Sequence, residues 1–192
     1  ILPGTIANRL KDKEGFIADD IDEASVLFCD LVGFTDLASR QSALETVEML
    51  NEIFWAFDHA IEKRGVEKIK TIGDAFMVAS GVPHPRDDHA DALIGLAQDF
   101  FKIVDDYNAR STHQLALRIG INAGPLTAGV IGKNKFSYDL WGDTVNVASR
   151  MESTGIPNWI QVSDAFVAAT RCGFDFERRD GVMVKGKGEM TT

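Results

Sequence analysis

Asp30 stands where an apolar, strand-favouring run ends, and this position suggests chemistry. The run before it predicts a buried strand, and Leu31 begins the turn that follows. A carboxylate at the end of a buried strand is unfavourable unless a cation meets it. A metal ion would meet that need, and the backbone N–H groups of Gly33, Phe34 and Thr35 would then face phosphate oxygens. The alternative is a strand-end aspartate that caps the next turn or helix.

A second aspartate, Asp74, lies in the turn of a predicted hairpin. The hairpin strands are predicted at Glu67–Thr71 and Ala75–Ala79. If this hairpin lies beside the strand that ends at Asp30, the two carboxylates meet at one edge of the sheet and repel each other unless cations lie between them. Oxygen ligands of this kind suit two Mg²⁺ or Mn²⁺ ions. Taken alone, Asp74 is explained as well by the turn itself.

Asn146 and Arg150 are suited to binding a ribose and a phosphate. They are four residues apart on a helix predicted from Asp143 to about Glu152, so they share one face of it. An amide and a guanidinium on the same face can hold a sugar hydroxyl and a phosphate together. The alternative is an ordinary solvated helix face.

Lys70 and Asp139 match the polar edge of adenine, provided that the fold brings them together. A lysine donates to the ring acceptor N1, and an aspartate accepts from the 6-amino group. Guanine presents the reverse pattern and would favour an acid in place of the lysine. A surface salt bridge is the alternative. Lys185, in a short basic loop with glycines, suits a polyphosphate, although basic loops are common.

Other kinds of site are disfavoured by the sequence. His84 and His89 flank a loop but lack further ligands at zinc-site spacing. The sequence contains no Ser/His/Asp or Cys/His arrangement and no G-x-x-x-x-G-K-[ST] loop. The net charge of −9 argues against a nucleic-acid partner. No apolar run approaches the roughly 20 residues that span a bilayer.

The predicted elements form one domain, since 192 residues with 45% apolar composition supply a single core. Their order predicts an α+β fold (an α/β sandwich) with a ferredoxin-like βαββαβ core, additional C-terminal strands and a helix, and helices packed on one face of the sheet. The predicted strands are Ala24–Asp30, the two hairpin strands, Leu115–Ala123 joined by a Gly124-Pro125 turn to Leu126–Ile131, Phe136–Leu140, Ile160–Val162, Phe174–Arg178 and Val182–Lys185. The predicted helices are Ser42–Arg64 with a Ser42/Glu45 capping box, Asp88–Tyr107, the Asp143 helix with Asp143 as its N-cap, and Asp164–Ala169.

Four motifs in register resemble the catalytic domain of class III nucleotidyl cyclases: FCDLVGFT, KIKTIGDAFM, YDLWGDTVNVASRM and VKGKG. The match runs from about Glu23 to the C-terminus. The resemblance implies a catalytic domain over residues 23–192, with residues 1–22 as a connecting helix and linker. That segment is similar to the one found before this domain in receptor-type and membrane-anchored bacterial members. The chain begins at Ile1 rather than Met, and we interpret it as part of a longer protein.

The resemblance implies a role for each matching residue. The implied metal ligands are Asp30, Asp74 and the Leu31 carbonyl, which together would hold two Mg²⁺ or Mn²⁺ ions per site. The implied substrate-binding residues are Lys70 and Asp139 for adenine, Lys185 for the terminal phosphates, and the Gly33, Phe34 and Thr35 turn. The implied catalytic residues are Asn146, which orients the ribose, and Arg150, which meets charge at the α-phosphate.

The activity implied by the resemblance is conversion of ATP to 3′,5′-cyclic AMP and pyrophosphate for intracellular signalling. Members of this family form their sites between two catalytic domains, and this chain holds both sets of residues, so a homodimer with two shared sites is expected. A cytoplasmic location and an upstream regulatory or membrane region in the parent protein are also expected. The alternatives are a guanylyl cyclase, disfavoured by Lys70 and Asp139, and a silent nucleotide-binding dimerisation module.

Overall fold

A six-stranded sheet forms the centre of the protein in a computed structural model that describes residues 2–12, 17–132 and 135–192. Its strands run in the order β2-β3-β1-β4-β5 with antiparallel neighbours, and β6 pairs with β4 in parallel. A separate two-stranded sheet joins β7 and β8. The strands are β1 (Ile17–Val32), β2 (Glu67–Ile72), β3 (Ala75–Ser80), β4 (Ala116–Ile131), β5 (Ser137–Trp141), β6 (Ile160–Val162), β7 (Val182–Val184) and β8 (Gly188–Met190).

Helices cover both faces of this sheet. They are α1 (Gly4–Asp12), α2 (Phe34–Ala38), α3 (Ala43–Arg64), α4 (His89–Asn108), α5 (Asp143–Ser153) and α6 (Asp164–Ala169). One face packs against α3, α4 and α6, with Phe57 and Phe100 stacked 3.9 Å apart in the core. The other packs against α1 through Ile6 and against α5 through Ala148. The predicted α+β class is confirmed, but the expectation that helices cover only one face is wrong.

Helix α3 begins and ends as its sequence predicts. The Ser42 hydroxyl accepts a hydrogen bond from the Glu45 N–H, and the Glu45 carboxylate accepts one from the Ser42 N–H. These two bonds satisfy donors that would otherwise lack partners in the first turn. Gly65 ends the helix in the left-handed conformation, with φ of 61°.

The hairpin predicted at Gly124-Pro125 is wrong, because β4 continues through both residues as one strand. Ile21 pairs with Leu126 and Ala24 pairs with Gly124, so two residues of β1 lie opposite Pro125 alone. Such a bulge leaves one position out of the hydrogen-bonded ladder. Proline lacks an N–H, so it fits the position without losing a ladder bond.

Some smaller predictions about the ends of elements and the C-terminal strands also differ from the structure. Gly142, not Asp143, is the N-cap of α5. The predicted strand Phe174–Arg178 has no regular structure, and β8 was not predicted. Strand β1 begins at Ile17, within the segment interpreted as a linker; the domain boundary after residue 22 stays a prediction. None of the helices within the described ranges has the length and apolar character needed to cross a membrane.

Candidate active site

Asp74 lies close enough to Asp30 to raise the pKa of the Asp30 carboxyl group. Asp30 is near the end of β1, and Asp74 is in the turn between β2 and β3. Strand β3 is the neighbour of β1 in the sheet. Burial raises the pKa of Asp30, and the negative charge of Asp74 raises it further. Arg118 opposes this shift, with its Nη2 atom 3.2 Å from Asp30 Oδ2. This end of the sheet therefore concentrates negative charge that one arginine balances in part.

Glu152 adds a third carboxylate here, which none of the sequence patterns indicated. Its carboxylate lies 2.6 Å from Nε of Arg118, which thus links β4 to α5. Burial raises the pKa of Glu152, the charges of Asp30 and Asp74 add to the rise, and Arg118 opposes it. Arg118 could have been found as a charged residue within the apolar alternation of β4.

Strand β1 continues through Leu31 and Val32, two residues beyond its predicted end at Asp30, and the chain turns at Gly33. Gly33 has φ of 79°, a left-handed conformation that favours glycine. It precedes the short helix α2, in whose first turn Phe34 and Thr35 lie. The Leu31 side chain is buried, and the Leu31 backbone N–H acts to lower the pKa of Asp30. The Leu31 backbone is thus next to the acidic cluster.

Lys70 and Asp139 come together although they belong to strands at opposite ends of the strand order. Lys70 is on β2 and Asp139 is on β5, and their Nζ and Oδ2 atoms are 2.5 Å apart. The sheet is therefore curled enough for its two edges to approach each other. The second Asp139 oxygen accepts a hydrogen bond of 2.9 Å from the Leu140 N–H. The side chain of Asp139 is only 15% exposed, so this acceptor is held in a fixed direction.

Helix α5 carries Asn146, which is exposed, and Arg150, which is half-buried. It lies directly on β4: a Cβ atom added at Gly120 would be 1.8 Å from the Glu152 nitrogen. The β7–β8 hairpin packs on the same helix through Val182 and Val184.

Lys185 is exposed in the turn of that hairpin. Its neighbour Lys187 places Nζ 2.7 Å from a carboxylate oxygen of Asp143 at the start of α5. The hairpin therefore holds Lys185 on the same side of the domain as the start of α5.

The predicted residues thus fall into three groups within one chain: the acidic end of β1, the Lys70–Asp139 pair, and the α5 face with its hairpin. In residues 2–12, 17–132 and 135–192, no hydrogen bond or ion pair connects Asn146, Arg150 or Lys185 to the other two groups.

The acidic end of β1 fits divalent cations that bind oxygen. Burial and the charge of Asp74 raise the pKa of Asp30, and divalent cations bound there would neutralise this negative charge. The described part of the chain holds no group of three or more His, Cys, Asp or Glu side chains arranged for a metal. A site with two carboxylates and a backbone carbonyl suits Mg²⁺, which completes its coordination with water and substrate phosphates.

His84 and His89 differ in their exposure to solvent. His84 is exposed, whereas His89 is buried at the start of α4, with Nδ1 2.7 Å from the Ser25 hydroxyl. The His89 imidazole is therefore engaged in a structural hydrogen bond.

Comparison with known proteins identifies the class to which this fold and site belong. Residues 16–192 match the family model "Adenylate and Guanylate cyclase catalytic domain", so the chain belongs to this family. It is a class III nucleotidyl cyclase catalytic domain, a lyase, and the resemblance inferred from the motifs is confirmed. Domains of this class are generally metal-dependent.

Relatives of both base specificities are similar to the chain. It is 46% identical over 193 residues to an adenylate cyclase of Mycobacterium tuberculosis, covering 100% of this chain and 44% of that protein. It is 40% identical over 199 residues to guanylyl cyclase C of Homo sapiens, covering 100% of this chain and 18% of that protein. The chain thus spans less than half of the length of these relatives.

Solved structures give the same picture. The catalytic core of a rhodopsin-guanylyl cyclase with converted specificity, in complex with ATPαS, superposes with a TM-score of 0.85 at 37% identity, over 91% of this chain and 95% of that one. The adenylyl cyclase CyaB from P. aeruginosa superposes with a TM-score of 0.81 at 26% identity, over 91% and 93%. The base that this chain uses must therefore be argued from its own residues.

Proposed function

We propose that this domain is an adenylyl cyclase, which converts ATP to 3′,5′-cyclic AMP and pyrophosphate at sites shared between two copies of the chain. The observation that carries the proposal is the 2.5 Å contact between Lys70 and Asp139. An ammonium donor and a carboxylate acceptor side by side complement N1 and the 6-amino group of adenine. Guanine carries a carbonyl at position 6 and an N–H at N1, so it would meet a donor and an acceptor in the wrong places.

The triphosphate and its cations would lie at the acidic end of β1. Asp30, Asp74 and the Leu31 carbonyl are the residues that would hold two Mg²⁺ or Mn²⁺ ions. When bound, these ions lower the pKa of the ribose 3′-hydroxyl and neutralise phosphate charge. The backbone N–H groups of the Gly33–Thr35 turn would donate to phosphate oxygens.

Two cationic side chains would also meet the phosphates. Arg118 already lies 3.2 Å from Asp30, so it is positioned to face phosphates bound there. Lys185, exposed in the β7–β8 turn, would bind the terminal phosphates.

Helix α5 would supply the groups that act on the reacting centre. Asn146 would orient the ribose so that the 3′-oxygen lies in line with the α-phosphorus. Arg150 would donate to the non-bridging oxygens of the α-phosphate, whose charge increases only in the transition state. Loss of Arg150 is therefore expected to lower kcat more than it weakens ATP binding.

Two copies of the chain would build each site. Among the described residues of one chain, no hydrogen bond or ion pair joins Asn146 or Arg150 to Asp30 or Asp74, which supports a site completed by a partner. One copy would supply Asp30 and Asp74, and the other would supply Lys70, Asp139 and the α5 residues. A homodimer then contains two equivalent sites. An upstream regulatory or membrane region, with the catalytic domain in the cytoplasm, stays a prediction from the resemblance.

The test is product analysis with ATP and with GTP, each with Mg²⁺ and with Mn²⁺, over a range of protein concentrations. We expect cyclic AMP from ATP, with specific activity that rises with protein concentration as dimers form. Cyclic GMP as the main product would favour the guanylyl cyclase alternative, which the relatives of that specificity support. No cyclic product from a folded dimer would favour a silent nucleotide-binding module.

A further inference from the structure

Asn122 is a buried polar residue on β4 that holds the first turn of α5. Its side chain is 5% exposed, and its Nδ2 atom donates to the Thr144 carbonyl over 3.0 Å. Its Oδ1 atom accepts from the Ser163 hydroxyl over 2.5 Å. The same hydroxyl accepts from the Phe166 N–H at the start of α6. One amide thus connects the sheet to the beginnings of two helices.

The start of α5 depends on such contacts because it has no side-chain cap of its own. Its N-cap is Gly142, which offers no side chain to the exposed N–H groups of the first turn. Thr144 instead donates its hydroxyl to the Pro125 carbonyl over 2.5 Å. Both attachments therefore reach from Thr144 to β4.

We propose that Asn122 is a positioning residue for catalysis, which sets the placement of α5 and so of Asn146 and Arg150. This inference rests on the proposed function, in which those two residues act on the substrate. Asn122 itself would touch neither substrate nor metal. Its amide fixes the distance between β4 and the Thr144 carbonyl. Because the site is buried, the Thr144 carbonyl has few other donors if this hydrogen bond is lost.

The distance along α5 makes this attachment important. Helix α5 is held at its other end, where Glu152 pairs with Arg118 and lies against Gly120. Asn146 lies six residues before Glu152, or about 9 Å along the helix axis, so a tilt of about 10° about that end would move the Asn146 backbone by about 1.5 Å. A displacement of about 1 Å at a reacting group can lower the rate by about a hundredfold.

The decisive variant is Asn122→Asp, which keeps the shape and the oxygen that faces Ser163 but replaces the donor with an oxygen that repels the Thr144 carbonyl. We expect kcat to fall between about tenfold and a hundredfold. The KM for ATP should change less than about threefold, because Lys70, Asp139 and the acidic end of β1 are untouched. An equal loss in affinity and turnover would overturn the inference.

A matched control separates positioning from stability. Ser163→Ala removes the other partner of Asn122 and the cap of α6, but it leaves the Asn122 donor in place. We expect a lower melting temperature with kcat close to that of the unmodified protein. A loss of kcat as large as in Asn122→Asp would mean that any damage to this region has the same effect, and the inference would fail. If Asn122→Asp does not fold, Asn122→Ala, which introduces no buried charge, takes its place.

Mixtures of inactive or weakened chains provide a second readout. Asn122→Asp mixed with Asp30→Ala should recover activity, since one hybrid site would combine an intact acidic end with an intact α5. Asn122→Asp mixed with Arg150→Ala should not recover, since neither chain supplies a correctly placed α5. Recovery with Arg150→Ala and no recovery with Asp30→Ala would overturn the role of Asn122.

The mixture of Asp30→Ala with Arg150→Ala tests the proposed function separately. Recovery there shows that the sites are shared. No recovery, with heterodimers shown to form, overturns the shared sites, and the comparison of kcat with KM still decides whether Asn122 positions α5.

Discussion

Arg118 and Glu152 form an ion pair with a distance of 2.6 Å between Nε and a carboxylate oxygen, and this pair connects strand β4 to helix α5. The Glu152 side chain is 14% exposed, so little water competes for it. The other end of the same guanidinium lies beside Asp30. Glu152 therefore determines how much of the Arg118 charge remains available to Asp30.

Replacing Glu152 with Gln is expected to lower the free energy of unfolding by about 1.5–3 kcal/mol, the usual range for a hydrogen bond to a charged group. Arg118 would then move closer to Asp30, and Mn²⁺ binding without nucleotide should weaken. Urea denaturation and Mn²⁺ titration measure these two effects. Glu48→Gln, at an exposed position of α3, is the control. Unchanged Mn²⁺ affinity would show that Glu152 does not influence Asp30.

Asp30→Ala and Asp74→Ala are each expected to lower turnover by at least about a thousandfold, because cations could no longer be held against the phosphates. Circular dichroism should show an intact fold, since removing one half-buried negative charge relieves repulsion between the two carboxylates. Asp36→Ala, exposed in α2, should retain activity. Substantial metal-dependent activity in either site variant would contradict the metal assignment.

The double variant Lys70→Glu with Asp139→Cys is expected to change the preferred base from adenine to guanine. Guanylyl cyclases of this family typically carry those residues at the matching positions. The ratio of kcat/KM for ATP to that for GTP should fall by at least about a hundredfold, since unpaired polar groups in a base pocket are strongly unfavourable. Lys70→Glu alone should lose activity with both nucleotides, because it would place two acids in contact. An unchanged ratio in the double variant would assign base choice to other residues.

His89 is expected to make the stability of the domain depend on pH below about 6.5. Burial lowers the pKa of His89 from 6.5, with Glu23, Asp88 and Asp91 opposing the shift and Arg171 favouring it. The folded protein thus binds a proton less readily than the unfolded chain, so this contribution is fully present above pH 6.5 and is lost as pH falls toward the lowered pKa.

The melting temperature between about pH 5 and pH 8 tests the role of His89. His89→Gln keeps a group that can hydrogen-bond with Ser25 but does not titrate, so its melting temperature should fall less at low pH. His84→Gln, at an exposed position, should behave like the unmodified protein. Equal slopes in all three proteins would show that His89 does not govern the acid sensitivity.

Local sequence signals predicted local structure well. The Ser42/Glu45 box and Gly65 bound α3 because each acts on its own helix terminus. The turn prediction at Pro125 failed because the bulge that accommodates it is formed by β1, about a hundred residues earlier in the chain. A strand pattern alone does not reveal what lies opposite it.

The candidate site was predictable where residues belong to recognisable motifs. Lys70 and Asp139 were singled out and lie in contact. The sequence did not indicate Arg118, Glu152 or Asn122. Their roles come from contacts between β4 and α5, two elements that are separated in the sequence. One face of β4 was predictable from its alternating apolar residues, Leu117, Ile119 and Ile121. Its other face, which includes Gly120, carries the residues that hold α5.

Gly120 has a broader consequence for this domain. Where α5 crosses β4, a main-chain nitrogen of the helix fills the space that a side chain would need. The spacing between the two layers is therefore set there by backbone atoms, whose dimensions do not vary with sequence. Substitutions elsewhere in the core can alter stability while this spacing, and with it the reach from Arg118 to Glu152, stays constant. The domain thus keeps a fixed reference point at its acidic end, around which the rest of its sequence is free to diverge.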